Sequence, residues 1–252
     1  MNEFRNPGQQ RGDGPQGWPQ QQYDPAGGWG SLQQQTAAQA SVAERMTFVR
    51  KVYALFFAAT LFAIGGVAIG LSFEPLLLFA FNHPWLMFFA MIGGVFGAEA
   101  VRHVPGVNLA ALFGFTTLTG VVISPLMYYV ALTNPASIWQ AGLLTVGIFG
   151  GLTLYVFVSR KDFSFMRGML FTGLIVLVVA GFANALIVGS SALGFAVAAA
   201  VLLLFSGYVL YDTSNIIRRY PTNEYVAAAL SLYLDAFNIF LALIRLLNAG
   251  RR

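Results

Sequence analysis

Cysteine is absent from the 252 residues, which excludes disulfides and thiolate metal sites together. That absence is compatible with any compartment. Charge is scarce too: Asp, Glu, Lys and Arg make up 10 % of the chain, against about a quarter in ordinary soluble domains. The formal net charge of +4 is too small, and too confined to connections between apolar runs, to indicate nucleic-acid binding. Lys51 and Lys161 lie at the ends of apolar runs, so no buried amine is at hand for a Schiff base. His83 and His103 sit in different connections and cannot form the clustered ligands of a zinc protease. Ser206-Gly207 has no helical histidine to make it an intramembrane serine protease. These shortages argue against an enzyme.

What is abundant is apolar sequence. Several runs reach about 20 residues, the length a helix needs to cross a bilayer. They predict spans at 51–72, 84–101, 107–130, 137–158, 168–188, 192–213 and 225–247. The connections are short, so neighbouring helices run antiparallel and one membrane domain covers 46–252. Residues 1–45 are different. Gln, Gly and Pro dominate, Trp18, Tyr23 and Trp29 are isolated, and no helical or strand period appears. This stretch reads as a disordered tail, either a solvated leader or a segment for a partner or protease. No apolar region follows its charges, so it is not a signal peptide.

Lys and Arg orient the domain. Arg45, Arg50 and Lys51 precede the first span, Arg102 follows the second, Arg160, Lys161 and Arg167 surround the fourth connection, and Arg218 and Arg219 the sixth. The first, third and fifth connections have none. The positive-inside rule then places the N-terminus in the cytoplasm. Seven full spans would leave Arg245, Arg251 and Arg252 on the far side. The length of the last run favours a seventh span over a re-entrant segment.

The hairpin from Tyr208 to Leu247 carries the polar chemistry. A turn centred on Thr222–Glu224 brings Asp212 and Asp235 to the same depth on antiparallel helices. On the second of these, Glu224, Ala228, Ser231, Asp235, Asn238, Ala242 and Arg245 follow alternating steps of four and three, one helical stripe. A helix with one polar stripe and otherwise lipid-grade faces belongs in the middle of a bundle. Asp costs roughly 2.5–3.5 kcal/mol at a membrane midplane, while each Leu, Ile or Phe returns about 0.3–0.6. The last helix is therefore a marginal inserter alone.

An ionisable residue within a span is a functional hypothesis by default. Two carboxylates facing each other in a low-dielectric bundle cannot both ionise cheaply and would hold one proton between them. That proton is also a latch between the last two helices; the alternative is a fixed clasp that never titrates. Glu99 and Arg102, one turn apart, read as a structural ion pair. Asn184 reads as an interhelical hydrogen bonder, Pro125 as a bend, and the pairs Gly66/Gly70, Gly93/Gly97 and Gly147/Gly151 as close-packing positions.

Gly207 to Arg219 (GYVLYDTSNIIRR) and the following LSLYLDAFNIFLALIRLL resemble the C-terminal signature of the transmembrane Bax inhibitor motif family. FVRKVYALFFAATL resembles that family's start, and the likeness covers roughly residues 45–248. The resemblance implies a seven-helix bundle with the last helix central, and a pH-sensing dyad of Asp212 and Asp235. It also implies an association with calcium leak and with protection from cell death or stress, and for some bacterial members with modulating a membrane-bound protease. In some members an arginine within the second span joins the dyad network; here only Arg102 stands at that span's end.

The expectation is an all-α integral membrane protein, seven transmembrane helices behind a Gln/Gly/Pro-rich tail, in a bacterial cytoplasmic membrane. Its leading function is a pH-sensitive cation leak gated by Asp212 and Asp235, with Ser231, Asn238 and Arg245 as the supporting stripe and Glu99 and Arg102 as secondary candidates. No cofactor is implied. Calcium prefers six to eight oxygens and fits only as a passing ion on carboxylates, Asn238, Ser231 and water. The expected partners are the lipid bilayer and the permeating cation, Ca²⁺ or H⁺. The competing reading is a non-conducting modulator of a membrane protease.

Overall fold

A computed structural model of the chain describes residues 36–249. Eight α-helices are arranged in it: α1 (Val42–Ser72), α2 (Glu74–Asn82), α3 (Pro84–Ala100), α4 (Val107–Thr133), α5 (Pro135–Ser159), α6 (Arg167–Ala183), α7 (Ser191–Arg218) and α8 (Tyr225–Ala249). Five of them, and the stretch Ser164–Val188 that contains α6, are long and apolar enough to cross a membrane, and the bent pair α2–α3 makes a seventh candidate. The all-α, multi-span architecture is the one read from the apolar runs.

The helix that differs from expectation is α2. It occupies the stretch 73–83 that reads as a connection, and meets α3 at 94°. Proline explains both ends. Pro75 sits in the first turn of α2, where its missing N–H costs nothing. Pro84 bars His83 from helical geometry, and His83 breaks the chain at φ −123°, ψ 55°. Nine residues rise only about 13 Å, so α2 cannot cross the bilayer by itself.

The tail boundary also differs. Residues 1–35 of the expected tail lie outside the described residues, but 36–45 are folded. Ala37 is fully buried and its N–H donates to the Tyr220 carbonyl at 3.0 Å, while Thr36 bridges antiparallel to Pro221. Ser41 then opens α1 with a capping box: its hydroxyl accepts from the Glu44 N–H (3.3 Å), and its own N–H donates to the Glu44 carboxylate (3.0 Å). The helix signal is local and polar, and stands before the apolar period begins.

Close packing of α1 on α4 depends on three glycines. A Cβ on Gly66 would overlap the Thr117 carbonyl, one on Gly120 the Ala63 carbonyl, and one on Gly70 the Ser124 hydroxyl. Gly93, Gly97, Gly147 and Gly151, read as packing positions of the same kind, face open space. Pro125 lies inside α4 and leaves the Val121 carbonyl without its helical donor; the Ser124 hydroxyl donates to it at 2.8 Å. Asn184 links α6 to α7, as expected of an interhelical hydrogen bonder, at the ends where the two helices meet. It begins a π-helical turn, and its side-chain oxygen accepts from the Ser190 N–H at 3.0 Å, closing the α6–α7 connection.

Helix α8 is the axis of the bundle, packed against α1, α4, α5 and α7. Of its apolar stretch 67 % is buried, against none for the stretch containing α6, whose surface is left for lipid. Both ends of α8 are tied. At one end Glu224 pairs with His103 at 3.6 Å and the Lys51 ammonium lies 5.2 Å from the Tyr225 ring. Near the other, Asn248 donates to Ser137 Oγ (3.0 Å) and accepts from Asn134 Nδ2 (3.2 Å), both at the start of α5. The last segment therefore runs the height of the bundle and does not turn back. The first of these ends gathers Lys51, Arg102, Arg160, Lys161 and Arg219; it is called the basic end below.

Candidate functional site

The short connection 219–224 folds α7 back onto α8. The Arg219 and Tyr220 N–H groups both donate to the Asn215 carbonyl (2.7 and 2.9 Å), and the Glu224 N–H closes the turn on the Pro221 carbonyl (3.0 Å). This geometry places Asp212 opposite Asp235, as equal distances from the tip require. The two carboxyl groups are close enough to act on each other across the interface, and Asn215 borders the same cavity as Asp212. A hydrogen bond between two carboxyl groups needs one proton shared by the two acids.

Their surroundings differ. Asp235 is only 2 % exposed, and its Oδ2 has no donor among the described residues. Asp212 is half-buried and opens on a cavity of about 360 Å³ at the basic end, shared with Asn215, Tyr220, Arg102, Arg167 and Arg219. A second cavity, of about 640 Å³, adjoins it at Arg102 and Glu224 and reaches His103 and Asn108. One acid is sealed in the bundle; the other meets the wet end.

The predicted stripe divides. Ser231 bonds the Tyr220 hydroxyl at 3.0 Å and donates to the Ala227 carbonyl at 3.2 Å. Asn238 donates within its own helix to the Leu234 carbonyl at 2.8 Å. Neither is recorded as bonded to the aspartates. Arg245 departs from the rest of the stripe: the residue as a whole is exposed, although neighbouring atoms screen its guanidinium from water. Ten residues separate it from Asp235, and at 3.6 residues per turn that rotates it by about 80°. A line of four-and-three steps drifts around a straight helix.

Glu99 and Arg102 form the expected ion pair, 3.3 Å apart and exposed. Arg102 also donates through Nε to His103 Nε2 at 3.0 Å and lines the Asp212 cavity. Three parts of the site were not read from sequence. Asn215 was legible, since it lies three residues from Asp212 and so on the same helical face. Tyr220 and the 160–166 connection carried no such signal. Arg219 donates to Asp162 (3.0 Å) and Ser164 (2.7 Å), and the Phe163 N–H donates to Ser214 Oγ (3.1 Å); Arg218 bonds the Arg160 carbonyl. The Ser164 backbone N–H, then the Arg219 guanidinium, hold the Asp162 carboxyl down at about 2. Burial pushes the Tyr220 hydroxyl up. Among the described residues no three His, Asp or Glu converge as metal ligands.

Comparison with known proteins covers nearly the whole helical part of the chain. The family model described as "Inhibitor of apoptosis-promoting Bax1" matches residues 45–252. The chain is 35 % identical to mouse protein lifeguard 4 over 215 residues, 84 % of this chain and 89 % of that one. It is 38 % identical to an uncharacterized membrane protein of Vibrio cholerae over 188 residues, 74 % of this chain and 80 % of that one. A Golgi anti-apoptotic protein of vaccinia virus is 32 % identical over 220 residues, covering 86 % and 91 %.

Proposed function

The chain belongs to the family of inhibitors of apoptosis-promoting Bax1, and from that premise we propose that it is a pH-sensitive cation leak in a bacterial cytoplasmic membrane. Asp212 and Asp235 form its gate, and the N-terminus is cytoplasmic, so the basic end faces the cytoplasm. The observation that carries the reading is the asymmetry of the pair. Asp212 borders a cavity at the basic end, whereas Asp235 is buried against it inside the bundle. A proton shared by the two holds α7 to α8. Its loss leaves two like charges in contact at low dielectric, which drives the helices apart.

Calcium is a suitable permeant because the site offers it too few oxygens for tight capture; weak binding is what conduction requires. The viral relative is an anti-apoptotic protein by name, which supports a part in protection from cell death, reached here through ion homeostasis. The test is purified full-length protein in liposomes loaded with a calcium dye, with initial entry rates from pH 5 to 8. Entry that changes with pH supports the gate. Absence of any entry from folded protein would favour a non-conducting modulator of a membrane-bound protease.

A further inference from the structure

The connection between α3 and α4 carries a histidine that the aspartate gate does not use. Both ring nitrogens of His103 are engaged. Nε2 accepts from the Arg102 Nε–H at 3.0 Å, and Nδ1 lies 3.6 Å from Glu224 Oε1, at the entrance to α8. The three residues line one cavity of about 640 Å³, and Arg102 and Glu224 also line the cavity that Asp212 borders. The Asn108 side-chain amide donates to the Arg102 carbonyl at 3.0 Å, which pins the backbone and leaves the guanidinium free to turn. That guanidinium keeps a second hold through Nη1, which donates to Glu99 at 3.3 Å.

An arginine N–H can donate only to a ring nitrogen that has kept its lone pair. His103 therefore carries its single proton on Nδ1, toward Glu224. A second proton would go to Nε2 and set two N–H donors, and two cations, face to face. The bond to Arg102 would not survive it. At Nδ1 the same charge is welcome, because the Glu224 side chain is only 11 % exposed and its attraction is weakly screened. Histidine is the side chain that ordinarily changes charge between pH 5 and 8. We propose that His103 is a proton-operated catch for Arg102. Neutral, it holds the guanidinium; protonated, it closes on Glu224 and lets Arg102 pivot about Glu99 into the Asp212 cavity. The other charged or titratable groups nearby are Tyr225, with Lys51 5.2 Å from its ring, and Arg167, Arg219, Tyr211, Tyr220 and Asp212 of the adjoining cavity. Among the described residues, only Arg102 and Glu224 meet the imidazole nitrogens. The catch is separate from the aspartate pair and does not depend on the protein conducting ions.

Nitrogen NMR of the full-length protein in detergent micelles tests it. The chain has two histidines, so with histidine labelled, His83→Gln leaves His103 as the only source of ring signals. At pH 8 those signals are expected to report the Nδ1–H tautomer, and Arg102→Leu should return them to the mixture of tautomers of an unrestrained histidine. With arginine labelled, the Arg102 Nε signal is identified by its loss in Arg102→Lys. It should shift between pH 7.5 and pH 5 in the unmodified protein and stay in place in His103→Phe. An Nε2–H tautomer at pH 8 overturns the proposal with the catch itself unaltered. An Arg102 signal that moves as far in His103→Phe overturns it too, since an acid beside Arg102 would then be the cause.

Discussion

Asp212 and Asp235 face each other across the α7–α8 interface while standing in different media: one borders a cavity, the other is sealed, with an oxygen that no donor among the described residues reaches. On the proposed function, a proton that enters or leaves the pair passes by way of Asp212, the acid that borders the cavity. The two positions are therefore unequal in access but inseparable in charge.

Substitution of either acid should expose that coupling. Asp212→Asn and Asp235→Asn each remove the like-charge term and leave one carboxyl beside a neutral amide. Each single variant is expected to flatten or displace the pH profile of calcium entry. The double variant should add less than the sum, because one shared proton is removed twice. Initial rates from pH 5 to 8 for the four proteins decide it; unchanged profiles in all three folded variants would remove the pair as sensor.

The glycines separate into two classes, and stability measurements should do likewise. Gly120→Val forces a side chain into the Ala63 backbone and should cost at least the roughly 1–3 kcal/mol of an overpacked core. Gly147→Ala meets open space and should be neutral, or stabilise by up to about 1 kcal/mol as helical glycine is relieved. Midpoints of thermal unfolding in detergent rank them. A harmless Gly120→Val would mean that α1 and α4 do not pack as described.

Helix α8 should insert poorly by itself. A peptide of residues 220–252 carries Asp235, Asn238 and Arg245 with too few apolar residues to offset them. Asp235→Leu should recover roughly 3 kcal/mol of insertion free energy. A glycosylation-mapping assay in microsomes gives the inserted fraction directly, and full insertion of the unmodified peptide would show that the surrounding helices are not needed.

The ends of α8 should label from opposite sides. The chain has no cysteine, so single substitutions at Asn223 and Ala249 are unambiguous probes. An impermeant maleimide added to right-side-out vesicles should reach one and not the other. Labelling of both from one side contradicts a helix tied at Glu224 and again at Asn248.

The Asp162–Arg219 contact has a defined acid limit. The folded-state value for Asp162 is about 2, below the usual value of about 3.9. Its contribution to stability is therefore complete above about pH 4 and is lost as pH falls toward 2. The pair is exposed, so the effect is small and falls with salt. Asp162→Asn should lower the unfolding midpoint slightly at pH 6 and not at pH 2; an equal loss at both would mean that the charge plays no part.

How much of this was legible depended on distance along the chain. The aspartate pair could be placed because both acids lie at equal depth on either side of one short turn. The inward position of α8 followed from its single polar stripe, although Arg245 shows that a stripe does not fix what each member faces. α2 was hidden because nine residues are too few for a span, so the stretch reads as a connection, and only the prolines at 75 and 84 mark its ends. Glycine spacing marked Gly66 and Gly70 correctly but could not separate them from Gly147 and Gly151, which carry the same spacing on a lipid-facing surface.

The bond from Ala37 to Tyr220 bears on how such proteins are trimmed at the bench. The family match begins at residue 45, and a chain cut there would lose the buried Ala37, the bridge to Pro221 and the Ser41 cap together. One such backbone bond is worth about 0.5–1.5 kcal/mol, but its position matters more than its size. Tyr220 reaches Ser231 through its hydroxyl and borders the Asp212 cavity. Flux or stability measured on a trimmed chain would thus describe a molecule whose acid pair has been relieved of its outer brace.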